Sequence, residues 1–219
     1  MKFAKKIFLL FLVFSLCSCA SQGFLPGEKT VILRNLSSEY FNIAENYLAQ
    51  KNYSKAIENY LLCLRTAQKE NTNQVNFQLA RAYALNKNYE NAENIFLDLL
   101  KSDQNNTILK ESLAFCYAKN GKISESIDLY KELYKTNTFS EEIVNNYVLV
   151  LLEGKKIDEA NQILSDFKLA SPDSKIIESL ESKIKKYEET ELNITSEVEN
   201  KDAKNENISS ESIKTNSDN

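Results

Sequence analysis

Apolar positions divide the chain into three regimes. A run of ten residues, IFLLFLVFSL (Ile7 to Leu16), stands between a basic start, MKFAKK, and a small-residue stretch, CSCASQG. The middle of the chain is amphipathic at helical spacing, and one segment recurs in it: KNYSKAIENYLLCL from Lys51, KNYENAENIFLDLL from Lys87, GKISESIDLYKELY from Gly121 and KKIDEANQILSDFK from Lys155. After these, SKIIESLESKIKKYEET places Ile177, Leu180, Ile184 and Tyr187 on one helical face with charge on the other. From Glu191 to Asn219 the pattern stops. No aromatic residue is left to bury, so a disordered acidic, Asn- and Ser-rich tail is expected over 191–219.

The repeated segments keep a register. Tyr53, Tyr89, Ile123 and Ile157 stand 36, 34 and 34 residues apart, and a 34-residue helix–turn–helix period is the signature of one repeat class. The chain resembles the tetratricopeptide-repeat (TPR) family. Its Leu-Gly pair reads here Ile43-Ala44, Leu79-Ala80, Leu113-Ala114 and Tyr147-Val148, followed by Tyr47, Tyr83, Tyr117 and Leu151. The second-helix pair reads Ala56 with Tyr60, Ala92 with Phe96, Ser126 with Tyr130, and Ala160 with Leu164. Small residues let antiparallel helices approach, while Tyr and Phe fill the space towards the next repeat. The closing proline of the family stands only at Pro172; Gln68, Gln104 and Thr138 occupy the other three joints.

The resemblance implies an all-α solenoid of four helix pairs at 37–70, 73–106, 107–140 and 141–174, with a capping helix at 175–190. Asn71 and Thr72 are two extra residues that should lengthen one inter-repeat turn. It further implies that the first helices line a concave groove for a partner peptide. By the family's alignment the groove positions are Phe41, Glu45, Phe77, Arg81, Glu111, Phe115, Asn145 and Leu149. Phe41, Phe77, Phe115 and Leu149 would suit an apolar or amphipathic segment; the other reading is that some of these phenylalanines turn inward as core. The Lys, Asn and Arg set with which a chaperone-binding subfamily clamps a C-terminal carboxylate is not there.

The N-terminal run is too short to span a bilayer as a helix, which takes about 20 residues, and has the build of a secretory signal. Leu16-Cys17-Ser18-Cys19 resembles the lipobox of bacterial lipoproteins, with Leu16 at −3, Ser18 at −1 and Cys19 as the lipid-modified residue; Cys17 at −2 departs from the usual Ala, Ser or Thr. The resemblance implies a signal peptide at 1–18, a covalent lipid on Cys19 and a tethering linker at 19–36. A flexible linker of that length spans roughly 20 to 25 Å, although Val31, Ile32 and Leu33 could instead pack on the first repeat. The expected location is a bacterial envelope membrane, the outer membrane facing the periplasm.

Composition narrows the function. Four glycines and two prolines in 219 residues favour helices. Removing Lys2, Lys5 and Lys6 with the signal takes the formal charge from −4 to −7, against nucleic-acid binding. With no histidine, neither a Ser-His-Asp nor a Cys-His device can be assembled, and no phosphate-binding glycine motif occurs. No metal and no cofactor beyond the lipid are expected. Cys63 and Cys116 fall in non-adjacent repeats and read as buried free thiols. The expected function is a non-enzymatic, lipid-anchored adaptor that binds an envelope protein, in outer-membrane assembly, pilus or secretin assembly, or control of wall enzymes. A ligand-binding accessory subunit of a solute transporter is the alternative.

Overall fold

The computed structural model describes residues 28–67, 72–137 and 139–193. Among them the chain forms nine α-helices and no strand: α1 (Glu28–Ala49), α2 (Tyr53–Thr66), α3 (Thr72–Leu85), α4 (Tyr89–Ser102), α5 (Thr107–Lys119), α6 (Ile123–Thr136), α7 (Glu141–Glu153), α8 (Ile157–Ala170) and α9 (176–193). The fold is the all-α TPR architecture. The signal peptide, Cys19, the joints Gln68 and Thr138 and most of the tail lie outside the described residues.

Within each repeat the two helices are joined by the same turn. Lys51, Lys87, Gly121 and Lys155 take left-handed backbone conformations, with φ of 59°, 62°, 79° and 58°. The amide after each bonds back across the turn: Asn52 to the carbonyl of Tyr47, Asn88 to Tyr83, Lys122 to Tyr117 and Lys156 to Leu151, at 2.8 to 2.9 Å. This is the Schellman ending, which satisfies carbonyls that the helix leaves open. In the Lys-Asn-Tyr turns the asparagine then caps the next helix, Asn52 accepting from the Lys55 amide and Asn88 from the Asn91 amide. One tripeptide thus stops one helix and starts the next.

The chain divides into two compact units, Met1–Ala82 and Tyr83–Asn219. In the first, α1 packs along α2 through Ala44 and Ala56, both fully buried, with Tyr60 and Cys63 beneath them. Ser37 Oγ donates to the Cys63 carbonyl at 3.2 Å. Val75, Leu79 and Ala80 of α3 are buried in the same unit. In the second, small residues again set the helix approach: Ser126 Oγ donates to the Ala114 carbonyl at 2.8 Å, which lets a hydroxyl stand where other repeats have Ala. A Cβ at Gly154 would come 3.0 Å from Ile127 Cδ1 and 3.2 Å from Ile123 Cγ2, so the end of α7 lies close against α6 and a side chain there would push these isoleucines by a few tenths of an ångström. Leu180 and Ile184 of α9 join the core of Tyr130, Tyr147, Val148, Leu151 and Phe167.

Three boundaries differ from the sequence expectation. Residues 28–36, assigned to a flexible linker, are the first turns of α1; no Gly or Pro lies between Glu28 and Ala49, and the nearest breakers, Pro26-Gly27, come before the helix. Val31 and Ile32 remain about half exposed, while Leu33 is half-buried. Thr72, expected in a lengthened turn, is the first residue of α3. The last helix runs to 193, so 191–193 belong to it rather than to the tail.

Candidate functional site

Each first helix presents its two groove positions one turn apart, so the pairs Phe41/Glu45, Phe77/Arg81, Glu111/Phe115 and Asn145/Leu149 share a face of α1, α3, α5 and α7 respectively. Between repeats the two positions exchange character. Aromatic precedes charged in α1 and α3, whereas polar precedes apolar in α5 and α7.

In the first unit the α1 pair is tied to the hairpin core. Phe41 is half-buried and meets the fully buried Tyr60 edge-on, with centroids 5.9 Å apart, a geometry worth about 0.5–1.5 kcal/mol beyond burial. The Tyr60 hydroxyl donates to the Glu45 carboxylate. Burial, and then that carboxylate, push the Tyr60 phenol well above its ordinary pKa. Glu45 therefore serves as the acceptor of a buried donor, which would otherwise cost about 1–3 kcal/mol. Phe77 of α3 is half-buried, and Arg81 is exposed, its guanidinium carbon 5.9 Å from the Phe77 centroid and its Nη1 donating to Gln78 Oε1 at 2.6 Å.

In the second unit Phe115 is open. It is 43% exposed, meets the Tyr89 ring edge-on at 6.3 Å and carries Lys119 Nζ 5.8 Å from its centroid. Glu111, one turn before it, is half-buried and accepts from Asn146 Nδ2 at 3.3 Å. Burial raises its carboxyl pKa, with the Glu142 charge adding to the rise and the Asn146 hydrogen bond opposing it. Asn145 Oδ1 accepts from Lys183 Nζ of α9 at 3.3 Å, and Leu149 is half-buried. These aromatics differ in exposure: Phe41 leans on the core, and Phe115 is exposed.

The polar group that the sequence reading missed is Glu93. It is buried beside Ala92 in α4, with Lys122 Nζ at 2.5 Å and Asn120 Nδ2 at 3.5 Å. Its counterparts next to Ala56 and Ser126 are the buried Ile57 and Ile127, so the place was legible as interface and only the residue type misled. Hydrogen bonding to Glu93 raises the Lys122 pKa. Burial first, then Glu93, push the Cys116 thiol up to about 12, which leaves it protonated and a poor nucleophile at neutral pH. Cys63 and Cys116 are both free and buried. Among the described residues no group of His, Cys, Asp or Glu could hold a metal ion.

These features match known helical-repeat proteins. A family model described as coatomer epsilon subunit matches residues 61–195, more than half of the chain, and one described as tetratricopeptide repeat matches residues 40–70. Among solved structures the chain is similar to a tetratricopeptide repeat protein from Parabacteroides merdae ATCC 43184, with TM-score 0.61 and 13% identity over 71% of this chain and 61% of that one. It is similar to YrrB, described as a TPR protein with an unusual peptide-binding site, with TM-score 0.57 and 13% identity over 67% of this chain and 74% of that one. It is also similar to MamA from Desulfovibrio magneticus RS-1, with TM-score 0.57 and 11% identity over 68% and 90%. The chain spans about three fifths of the length of the Parabacteroides protein. No curated protein matches it. At these identities the likeness is one of fold.

Proposed function

From a chain that belongs to the coatomer epsilon subunit family through residues 61–195 and is built of tetratricopeptide repeats, we infer a non-enzymatic adaptor, held by lipid on Cys19 at a bacterial envelope membrane. TPR repeats are protein-interaction scaffolds, and proteins of this fold are generally not catalysts. The observation that carries the reading is Phe115, a large aromatic left open on a first-helix face beside Tyr89 and Lys119. Aromatic side chains in such positions are the usual anchors of a bound segment, and YrrB gives a precedent for peptide binding on this fold. Leu16-Cys17-Ser18-Cys19 supports the tether. Among the described residues no helix is long and apolar enough to cross a membrane.

Two measurements test the two halves of this reading. Metabolic labelling with palmitate should mark the wild-type chain and not Cys19→Ala; equal labelling removes the anchor. Site-specific crosslinking in native membranes should give adducts that a Phe115→Ala variant loses while keeping its helical circular dichroism. Unchanged adducts would move the binding face elsewhere.

A further inference from the structure

We propose that the N-terminal turns of α1 form a second membrane contact, in which Val31, Ile32 and Leu36 sit in the interfacial layer of a lipid bilayer. The inference rests on the Cys19 anchor and adds a docked geometry to it.

Three observations carry it. First, α1 overreaches its partner: Ser37 touches Cys63, and α2 ends three residues later at Thr66. In an antiparallel pair this leaves residues 28–33 projecting past the end of α2, about 9 Å of helix. Helices that lie at membrane interfaces bury their apolar side chains about 5–10 Å deep, so this tip reaches the layer while α2 stays outside it.

Second, the tip and the turn that follows it hold open apolar side chains. Val31 is 47% exposed, Ile32 46% and Leu36 39%. Ile32 and Leu36 are one turn apart on the same side of the helix. Ile43 extends that side and is also exposed, whereas its repeat counterparts Leu79, Leu113 and Tyr147 are buried. Among the described residues no helix precedes α1 to cover this side.

Third, a lipid on Cys19 would be held close to this patch by the chain itself. Cys19 precedes Glu28 by nine residues, at most about 30 Å of extended chain. A patch of three aliphatic side chains would bind a free bilayer weakly. Tethered within that radius, it meets the surface at a high effective concentration, and a weak contact becomes an occupied one.

The chain has no tryptophan, so one introduced indole reports its own surroundings. Ile32→Trp and, as a comparison, Leu169→Trp at an 85% exposed position of α8 are prepared as full-length acylated protein. Each is reconstituted in phosphatidylethanolamine–phosphatidylglycerol vesicles with and without brominated acyl chains, with helicity checked by circular dichroism. The Ile32 reporter should shift to the blue on reconstitution and lose most of its emission to the brominated lipid, and the Leu169 reporter should do neither. Protein that floats with the vesicles yet keeps an unquenched Ile32 reporter overturns the proposal and leaves the anchor standing. Equal quenching of both reporters overturns it, as does a blue shift that follows protein concentration without lipid, the sign of a second copy on the patch. A chain that carries no acyl group and does not float defeats the anchor and this inference together.

Discussion

The residue in each repeat's turn shows where local strain has been accepted. A left-handed conformation costs an L-residue about 1–2 kcal/mol relative to glycine's freedom, and three of the four turns place lysine there. Lys51→Gly and Lys87→Gly should each stabilise the fold by about 1 kcal/mol, read as a higher denaturant midpoint. Lys155→Gly should gain less, because it gives up an exposed pair with Glu191 at 2.9 Å. Gly121→Ala should lose a similar amount, since no side chain is in its way and only the backbone resists. Glu111 gives a pH signature of opposite kind. Its carboxyl pKa is raised in the fold, so in the window between the ordinary carboxylate value and the raised one the folded chain holds more protons than the unfolded chain. The cost of the buried charge is fully present above that window, at neutral pH, and is relieved as pH falls through it. Glu111→Gln should raise the midpoint slightly at pH 7, by no more than about 0.5 kcal/mol for so partly exposed a group. The gain should fade below the ordinary carboxylate range; a gain unchanged by pH would assign it to packing.

At the scale of elements the sequence was informative because the turn within each repeat ends one helix and fixes where the next begins. Tyr53, Tyr89, Ile123 and Ile157 open α2, α4, α6 and α8 as the period requires, since a turn closed by Lys-Asn, Gly-Lys or Lys-Lys leaves little freedom in where the next helix begins. The α1 extension was illegible because the repeat register starts at residue 37 and the preceding turns have no copy elsewhere to align with. Each expected groove pair stands one turn apart on its helix, but exposure was not legible: whether Phe41 leans on Tyr60 or Phe115 stands out depends on the packing around each ring. The capping helix was legible from Leu180 and Ile184, and its contribution can be measured. Leu180 is fully buried against a core that α9 completes, so Leu180→Ala should cost about 2–5 kcal/mol. Lys186→Ala on its exposed face should stay within about 0.5 kcal/mol. A Leu180 loss as small as the Lys186 one would mean that α9 frays without disturbing the repeats.

A repeat protein as a whole has no single centre, since each helix pair is stabilised by its own packing and by its neighbours. Burial is nonetheless uneven along this chain. Helix α7 buries seven of its thirteen residues, including Tyr147, Val148, Leu151 and Leu152, and takes contacts from α6, α8 and α9. The first turns of α1 bury none of the residues 31–36. Opening free energy follows buried contact, so native-state amide exchange should be slowest in α7 and fastest over residues 31–36, with α2 between them. In solution such fast exchange is the expected behaviour of a helix start whose turns up to residue 33 project past the partner helix and whose next turn buries nothing. On vesicles the same amides should slow, because the interfacial layer excludes the water that an opened turn needs for exchange, while those of α7 should not change. Slowing that spread evenly over every helix would indicate global stabilisation by the lipid rather than a contact at the tip, and unaltered exchange at residues 31–36 would overturn the tip contact.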